Sequence, residues 1–247
     1  MSILGIIPAR FASSRFPGKP LVDIGGKTMI QRVYEQAKKA KKLLEVVVAT
    51  DDVRIAEDVQ RFGGKVVMTS NEHRSGTDRC AEAVKKVPGN WKAVINIQGD
   101  EPFIQPEQID LLAGLFESNS VLIGTLVKKL SDAADLDNPN TMKVVLDANG
   151  NGMYFSRSPI PFVRGEEKAN WLEKHFFYKH IGIYGYRADV LQRLTLLPPG
   201  KLEMAESLEQ LRWLENGYSI RTAFTTLETL SVDSPEDLEK LKKAGLF

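Results

Sequence analysis

Residues 8–20 read Pro-Ala-Arg-Phe-Ala-Ser-Ser-Arg-Phe-Pro-Gly-Lys-Pro and combine cationic with small side chains. The cations are Arg10, Arg15 and Lys19, and the small residues are Ala12, Ser13, Ser14 and Gly18. Small residues allow backbone N–H groups to approach an anion, and three cations can neutralise a triphosphate. The spacing matches neither the Walker loop nor the Gly-x-Gly-x-x-Gly fingerprint. We interpret the segment as a phosphate-binding loop, with a solvated cationic loop as the alternative.

Two acidic segments are suited to a metal ion. Gly-Asp100-Glu101-Pro follows directly on an apolar run, so Asp100 stands at the tip of a predicted buried strand. Asp233 lies in Ser-Val-Asp-Ser-Pro-Glu-Asp-Leu, just before the predicted last helix. Magnesium takes one or two carboxylates together with phosphate oxygens, which suits a triphosphate. The alternatives are a turn at the first segment and helix initiation at the second.

A further polar segment, His-Arg-Ser-Gly-Thr-Asp-Arg at residues 73–79, lies between the cationic loop and Asp100 in the chain. Either Ser75 or Thr77 can cap the helix that follows, which is the structural interpretation. The functional interpretation is that Arg74 and the helix N-terminus contact a nucleotide. The chain's three histidines do not have metal-ligand spacing, so a zinc hydrolase is not expected. The one cysteine, Cys80, excludes an intrachain disulfide and any multi-cysteine metal site.

The elements that must position these residues alternate between strand and helix in the first half of the chain. The predicted order is strand 3–7, helix 28–44, strand 45–50, helix 52–62, strand 65–68, helix 77–87, strand 93–98 and helix 106–118. This alternation predicts an α/β fold with a mostly parallel central sheet flanked by helices. Ligands of such sheets bind beyond the carboxyl ends of the strands, where both the cationic loop and Asp100 fall.

The second half of the chain has a different pattern. Residues 142–146 and 153–156 flank Asp-Ala-Asn-Gly-Asn, which predicts a hairpin. Met153–Tyr186 contains nine aromatic residues, which we interpret as a substrate wall and subunit interface, with extra core as the alternative. Helices at 189–194 and 203–216, a strand at 219–225 and a helix from 234 are predicted to follow. Without repeats or linkers, residues 1–247 are expected to form a single domain with an insertion at about 140–190.

Composition limits the partners of the protein. The 33 Lys and Arg nearly balance the 32 Asp and Glu, giving a formal charge of +1, so neither a nucleic acid nor a membrane surface is expected as a partner. No apolar run approaches the roughly 20 residues that span a bilayer. The N-terminal residues lack the charged region of a signal peptide and are predicted to form a strand. These features predict a cytoplasmic location.

Taken in order along the chain, the polar motifs resemble those of the 3-deoxy-manno-octulosonate (Kdo) cytidylyltransferases. The matching segments are 6–10 (Ile-Ile-Pro-Ala-Arg), 15–21 (Arg-Phe-Pro-Gly-Lys-Pro-Leu), 48–51 (Val-Ala-Thr-Asp), 75–79 (Ser-Gly-Thr-Asp-Arg), 98–102 (Gln-Gly-Asp-Glu-Pro), 154–157 (Tyr-Phe-Ser-Arg), 160–161 (Ile-Pro), 180–187 (His-Ile-Gly-Ile-Tyr-Gly-Tyr-Arg), 208–212 (Leu-Glu-Gln-Leu-Arg) and 232–238 (Val-Asp-Ser-Pro-Glu-Asp-Leu). Each motif is moderately specific, and the ordered set is highly specific.

The resemblance implies a nucleotide-diphospho-sugar transferase-like fold, a homodimer with the inserted segment at its interface, CTP and Kdo as substrates, and Mg²⁺ as cofactor. It also implies a role for individual residues. Arg10, Arg15 and Lys19 would hold the triphosphate, Ala9, Arg74, Ser75 and Gln98 would surround the cytidine, Asp100 and Asp233 would hold magnesium, and Arg157, His180, Tyr184, Glu209, Gln210 and Gln98 would face Kdo.

The implied reaction is an in-line displacement in which the anomeric 2-hydroxyl of Kdo attacks the α-phosphorus of CTP and pyrophosphate leaves. Lys19 and Arg10 are expected to stabilise the charge on the phosphoryl group and on the leaving group. A covalent intermediate is not expected, because no nucleophile–base pair is evident. Arg157 suits the Kdo carboxylate, because a planar guanidinium can bind a carboxylate bidentately. A surface arginine at a strand end is the alternative.

Three other functions remain open from the residues alone. The first is the same chemistry on another acid sugar, such as 8-amino-Kdo or a sialic acid. The second is a glycosyltransferase, which needs an Asp-x-Asp metal motif; Asp135-Leu-Asp137 has that pattern but does not follow a predicted buried strand. The third is a nucleotide sensor without catalysis, against which Asp100, Asp233 and Lys19 argue together.

Overall fold

The computed structural model describes residues 1–12 and 16–247. The strands are β1 (Ile3–Ala9), β2 (Glu45–Thr50), β3 (Val66–Met68), β4 (Ala93–Asn96), β5 (Ile123–Lys129), β6 (Lys143–Leu146), β7 (Asn151–Ser156), β8 (Tyr178–Arg187) and β9 (Ile220–Phe224). The helices are α1 (Met29–Ala37), α2 (Val53–Arg61), α3 (Gly76–Lys86), α4 (Pro106–Gly114), α5 (Ala133–Asp137), α6 (Trp171–Lys174), α7 (Ala188–Leu194), α8 (Lys201–Glu206), α9 (Gln210–Glu215) and α10 (Pro235–Lys243).

All nine strands form one sheet in the order β3-β2-β1-β4-β8-β5-β9-β7-β6. The first four pair in parallel, and the apolar runs of β1, β2 and β4 are buried on both faces, as parallel strands covered by helices require, whereas the edge strand β3 is partly exposed. The predicted α/β fold class is confirmed. The pairs made by β8 and by the β6–β7 hairpin are antiparallel, so the sheet as a whole is mixed.

β8 is the longest strand and lies between β4 and β5 at the centre of the sheet. Its start also pairs with β6, so strands β8, β5, β9, β7 and β6 close on themselves into a ring. The register between β5 and β8 shifts at Thr125 and Leu126, which pair with Tyr184 and Ile181. Residues 182–183 therefore form a β-bulge next to the end of β4.

Three features differ from the sequence-based predictions. β5 and β8 were not predicted as strands, because their glycines and lysines interrupt the apolar pattern. The helix predicted at 28–44 ends at Ala37, before the lysine-rich turn. The helix predicted at 203–216 is two helices, because Ser207 between them adopts the left-handed conformation with φ 52°.

Helices cover both faces of the sheet. One apolar cluster joins α1, α2 and α4 to one face, and a second joins α3, α7 and α9 to the other. Among the nine aromatics of Met153–Tyr186, five are buried, whereas Phe162 and Phe176 are 75% and 60% exposed. This segment therefore supplies both core and exposed apolar surface. Across residues 1–12 and 16–247, no helix is long and apolar enough to cross a membrane.

Candidate active site

A cavity of about 320 Å³ opens where β1 and β4 end and α3 begins. Its volume is within the range of small-molecule pockets. It is lined by Pro8, Ala9, Arg10, Lys19, Pro20, His73, Arg74, Ser75, Gly76, Arg79, Gln98, Gly99, Asp100 and Asp233. The predicted nucleotide and metal residues are thus brought to one cavity, except for Ser13, Ser14 and Arg15, which lie outside the described residues.

Lys19 connects the two acids at the floor of this cavity. Its Nζ lies 2.7 Å from Asp100 Oδ2 and 3.5 Å from Asp233 Oδ1, although the three residues are far apart in the chain. Asp100 is carried by the turn after β4, and Asp233 precedes α10. The Val232 N–H donates to the Asp100 carbonyl at 2.9 Å, which fixes the two acidic segments side by side.

The acid pair fits magnesium together with phosphate oxygens. The described residues contain no group of three or more His, Cys, Asp or Glu side chains that could hold a metal, so an ion here would need ligands from the substrate. Burial raises the pKa of neighbouring Glu101 to about 8, assisted by the charges of Asp100 and Asp233. Glu101 is therefore mainly uncharged at neutral pH, and Asp100 and Asp233 are the carboxylates that could bind a metal ion.

The N-terminus of α3 forms one wall of the cavity. Ser75 is its N-cap: Ser75 Oγ accepts from the Asp78 N–H at 3.1 Å, and the Asp78 carboxylate accepts from the Ser75 N–H at 3.2 Å. The structural interpretation of this segment as a helix start is confirmed for Ser75. The same capping presents Ser75 and Arg74 to the cavity, so the nucleotide role remains a prediction that the geometry allows.

Arg79 also lines the cavity and was not assigned from the sequence. It is only 4% exposed, and its guanidinium lies 2.5 Å from Thr69 Oγ1 and 3.3 Å from Asp51 Oδ1. These contacts join α3 to the ends of β2 and β3. The signal available in the sequence was its spacing, since Arg79 follows the N-cap Ser75 by one helical turn and therefore lies on the same helix face.

A second group of buried polar residues lies on β8 and α9. His180, Tyr184 and Gln210 are each less than 9% exposed, yet His180 Nδ1, the Tyr184 hydroxyl and Gln210 Nε2 have no hydrogen-bond partner among the described residues. The rings of His180 and Tyr184 are 5.1 Å apart. Because buried polar atoms are normally paired, these three are candidates for contacts with hydroxyl or carboxylate groups of a ligand.

His180 is held as a neutral acceptor. Burial lowers its pKa to about 3, so the imidazole is uncharged at neutral pH. Its Nε2 lies 2.9 Å from Thr125 Oγ1, and the Thr125 hydroxyl donates to the Ile183 carbonyl at 2.8 Å. Since the threonine proton is used there, Nε2 carries the imidazole proton and Nδ1 is left as an acceptor.

Two contacts join this group to the cavity. Gln98 lines the cavity and donates from Nε2 to the Gly182 carbonyl of β8 at 2.9 Å. Glu209 accepts from Thr77 Oγ1 at 2.7 Å, next to the N-cap Ser75. Burial raises the pKa of Glu209, while hydrogen bonds from Thr77 and Ser75 act in the opposite direction. Gln98 and Glu209 therefore stand between the predicted nucleotide and sugar residues.

Arg157 is engaged elsewhere. Its guanidinium donates to the backbone carbonyls of Glu206, Pro139 and Ser207 at 2.7, 2.9 and 3.5 Å. These contacts tie the end of β7 to the end of α8, and Arg157 does not line the cavity described above. Its predicted contact with a sugar carboxylate remains a prediction.

The fold is shared with nucleotidyltransferases of known structure. A solved structure of CMP:2-keto-3-deoxy-manno-octonic acid synthetase complexed with CTP superposes with a TM-score of 0.91 and is 46% identical, covering 100% of this chain and 99% of that one. A nucleotidyl transferase from Methanothermobacter, 15% identical over 99% of this chain and 98% of that one, shares the fold with a TM-score of 0.62. Fold and site together define a nucleotidyltransferase.

Sequence comparison narrows this class. Residues 4–243 match the family model described as cytidylyltransferase. The 3-deoxy-manno-octulosonate cytidylyltransferase of Cytophaga hutchinsonii is 59% identical over 96% of this chain and 95% of its own length. That of Parabacteroides distasonis is 57% identical, with 97% and 96% covered. The chain belongs to the cytidylyltransferase family, and the resemblance seen in the motifs is confirmed.

Proposed function

We propose that this protein transfers CMP from CTP to the anomeric 2-hydroxyl of Kdo, giving CMP-Kdo and pyrophosphate. The observation that carries the proposal is the position of Gln98, which lines the cavity of Lys19, Asp100 and Asp233 and also contacts β8 beside His180 and Tyr184. A nucleotide in the cavity and a sugar acid against β8 would meet at Gln98. The identity to Kdo cytidylyltransferases supports this choice of substrates.

In the proposed mechanism, Arg10 and Lys19 bind the triphosphate and stabilise the charge that develops on the phosphoryl and leaving groups. Arg15, Ser13 and Ser14 belong to the same loop and are proposed to contact the phosphates. Ala9, Arg74, Ser75 and Gln98 surround the cytidine. Asp100 and Asp233 would hold Mg²⁺, which when bound supplies charge stabilisation at the α-phosphate and activation of the attacking hydroxyl.

The acceptor side of the mechanism rests on buried polar atoms. His180 Nδ1 accepts a hydrogen bond from a hydroxyl of the sugar, Gln210 Nε2 donates one, and the Tyr184 hydroxyl can do either. Glu209 faces the acceptor from the N-terminus of α9 and stays attached to α3 through Thr77. These contacts orient the 2-hydroxyl toward the α-phosphorus, and orientation of this kind contributes several kcal/mol of rate acceleration, about 7–11 kcal/mol at most.

The homodimer is part of the proposal. Exposed Phe162, Phe176 and Met153 lie on the inserted segment, where an apolar cavity is lined by β6, Pro161 and Phe176. We propose these exposed apolar side chains as the surface that a second copy covers. We further propose that the enzyme acts in the cytoplasm, where CTP is available, and that CMP-Kdo serves lipopolysaccharide biosynthesis.

The alternatives have less support. The Asp-x-Asp pair, Asp135 and Asp137, lies on α5 and does not line the cavity. Asp135 forms an ion pair with Lys179, and Asp137 forms one with Lys168. This arrangement does not favour a glycosyltransferase metal site. A non-catalytic sensor would not need Lys19 set between two acids. Another acid sugar as acceptor remains the closest alternative.

The proposal is tested by pyrophosphate release from purified enzyme with CTP, Mg²⁺ and one acceptor at a time. Kdo is expected to give the highest kcat/KM in a panel that includes 8-amino-Kdo and a sialic acid. A higher kcat/KM with another acid sugar would change the assigned acceptor. Absence of pyrophosphate release with every acceptor would contradict the catalytic function.

A further inference from the structure

Neither the backbone conformation nor the packing explains why residue 182 is a glycine. Of the chain's 19 glycines, nine have positive φ. Another nine would bring a Cβ within 3.2 Å of a neighbouring atom. Gly182 has neither feature, and apart from its two chain neighbours no described residue has an atom within 4 Å of the position that its Cβ would take. A glycine inside a strand costs stability, and it often marks a site where a ligand approaches the backbone.

The location of Gly182 agrees with that interpretation. It lies in the β-bulge of β8, half-buried, whereas both flanking residues and Tyr184 are buried. Ile181 and Ile183 pack into the cluster on one face of the sheet. Because side chains alternate along a strand, Gly182 faces the other side, between His180 and Tyr184. The open space at Gly182 therefore lies on the face of β8 that also carries the two rings with unpartnered polar atoms.

The same residue is fixed relative to the nucleotide cavity. Its carbonyl accepts the 2.9 Å hydrogen bond from Gln98 Nε2. The Thr125 hydroxyl, which contacts the carbonyls of Ile181 and Ile183, holds the bulge from the adjacent strand. The backbone at Gly182 is thus rigidly placed, with open space on one side and the nucleotide cavity at its end.

We propose that Gly182 is a specificity-determining residue: its missing side chain provides the space in which the ring of the acceptor sugar acid lies against the β8 backbone. This inference rests on the proposed function and adds the surface that the acceptor covers. The acceptor would lie over the Gly182 backbone, next to the paired rings of His180 and Tyr184. Its reacting hydroxyl would point toward Gln98 and the α-phosphate.

The test compares the wild type with Gly182→Ala and Gly182→Val, using steady-state kinetics and thermal unfolding. One methyl group in a binding pocket changes discrimination by roughly 10–200-fold. We expect kcat/KM for Kdo to fall by about tenfold or more in Gly182→Ala and further in Gly182→Val, with KM for CTP within twofold. The melting temperature should equal or exceed that of the wild type, because alanine and valine suit a strand better than glycine.

Gly185→Ala, in the same strand, is the matched control. A Cβ there would lie 2.5 Å from the Phe116 ring, so this variant should unfold at a lower temperature without selectively impairing use of Kdo. Unchanged kcat/KM for Kdo in Gly182→Ala overturns the inference. A lower melting temperature together with equal rises in both KM values also overturns it, since that pattern indicates a structural role.

The wild type in the same assay separates the two proposals. A wild type that does not use Kdo contradicts the proposed function and the inference together. An active wild type with an equally active Gly182→Ala contradicts the inference alone.

Discussion

The backbone N–H of Val232 donates to the carbonyl of Asp100 at 2.9 Å, although the two residues are far apart in the chain. This hydrogen bond brings the segment before α10 against the tip of β4. Val232 itself is fully buried, in a small cluster with Ile24, Met29 and Leu241. The position of Asp233 is therefore set both by this hydrogen bond to the turn after β4 and by the packing of Val232 in that cluster, which includes Leu241 of α10.

Asp100→Asn tests the proposed metal-binding role. The amide preserves shape but removes a negative charge, so kcat at saturating Mg²⁺ should fall by more than tenfold, which corresponds to about 1.4 kcal/mol of barrier. Circular dichroism should show an unchanged fold. The control is Asp189→Asn, an exposed aspartate paired with Arg187, which should keep wild-type activity. Retention of a tenth or more of the wild-type kcat by Asp100→Asn contradicts the metal role.

Lys19→Ala tests the phosphate role. The ammonium group between Asp100 and Asp233 contributes to binding of the triphosphate, so affinity for CTP should drop by roughly tenfold while affinity for cytidine changes little. Isothermal titration with both ligands measures this difference. Lys27→Ala, which removes an exposed ion pair with Glu35, is the control. Equal losses for CTP and cytidine are incompatible with the assignment.

Arg157→Lys separates two roles for this arginine. Loss of the guanidinium contacts to backbone carbonyls should lower the free energy of unfolding by about 1–2 kcal/mol. A role in binding the sugar carboxylate further predicts a ten- to hundredfold loss of kcat/KM for Kdo, about 1.5–3 kcal/mol, with CTP affinity retained. Denaturant unfolding and steady-state kinetics measure the two effects independently. If Arg157→Lys uses Kdo with the same kinetics as the wild type, only the structural role of Arg157 remains.

His180 should make the stability depend on pH. Its folded-state pKa is lowered to about 3, whereas the ordinary value is 6.5. Between these values the unfolded chain binds a proton that the folded protein does not. The free energy of unfolding is therefore highest above pH 6.5 and decreases as the pH falls toward 3. The slope is about 1.4 kcal/mol per pH unit. Urea unfolding at pH 7.5, 6 and 5 should show a smaller decrease in the free energy of unfolding for His180→Gln than for the wild type. The control His175→Gln, at an exposed histidine, should behave like the wild type. Parallel curves for wild type and His180→Gln would contradict the lowered pKa.

The proposed homodimer predicts a change in mass when Phe162 and Phe176 are both replaced by serine. Both side chains are largely exposed, so the fold should persist while the apolar surface of the inserted segment is lost. Light scattering at micromolar concentration should give a dimer for the wild type and a monomer for the double variant. Leu196→Ser, which changes an 83% exposed leucine outside that segment, should remain dimeric. A monomeric wild type would contradict the proposal.

The sequence was sufficient to predict the cavity residues that follow strand ends. Arg10, Lys19 and Asp100 were expected near one another because the carboxyl ends of β1 and β4 meet at one edge of the sheet, and the structure brings them to one cavity. Asp233 was a second candidate metal ligand from the sequence, with helix initiation as the alternative, and the family motifs implied the same metal role. Its contact with the others depends on the hydrogen bond of Val232, which no local pattern indicates.

The surroundings of the proposed acceptor site were harder to predict from the sequence. β8 was not predicted as a strand, so Gly182 could not be recognised as a gap in a buried surface. Arg157 was judged from its planar charged group, whereas its contacts depend on the carbonyls of Ser207 and Glu206, exposed where a predicted helix breaks. Side-chain partners of this kind arise from tertiary packing.

The ring formed by β8, β5, β9, β7 and β6 also reduces the number of sheet edges at which molecules could aggregate. Because β6 pairs with both β7 and β8, the described part of the sheet has one free edge strand, β3, which is only three residues long. Long free edges invite strand-by-strand growth between molecules, and a short edge gives little template for it. The short edge therefore gives two copies little opportunity to pair strand to strand, so the proposed homodimer would form through side-chain contacts without extending the sheet.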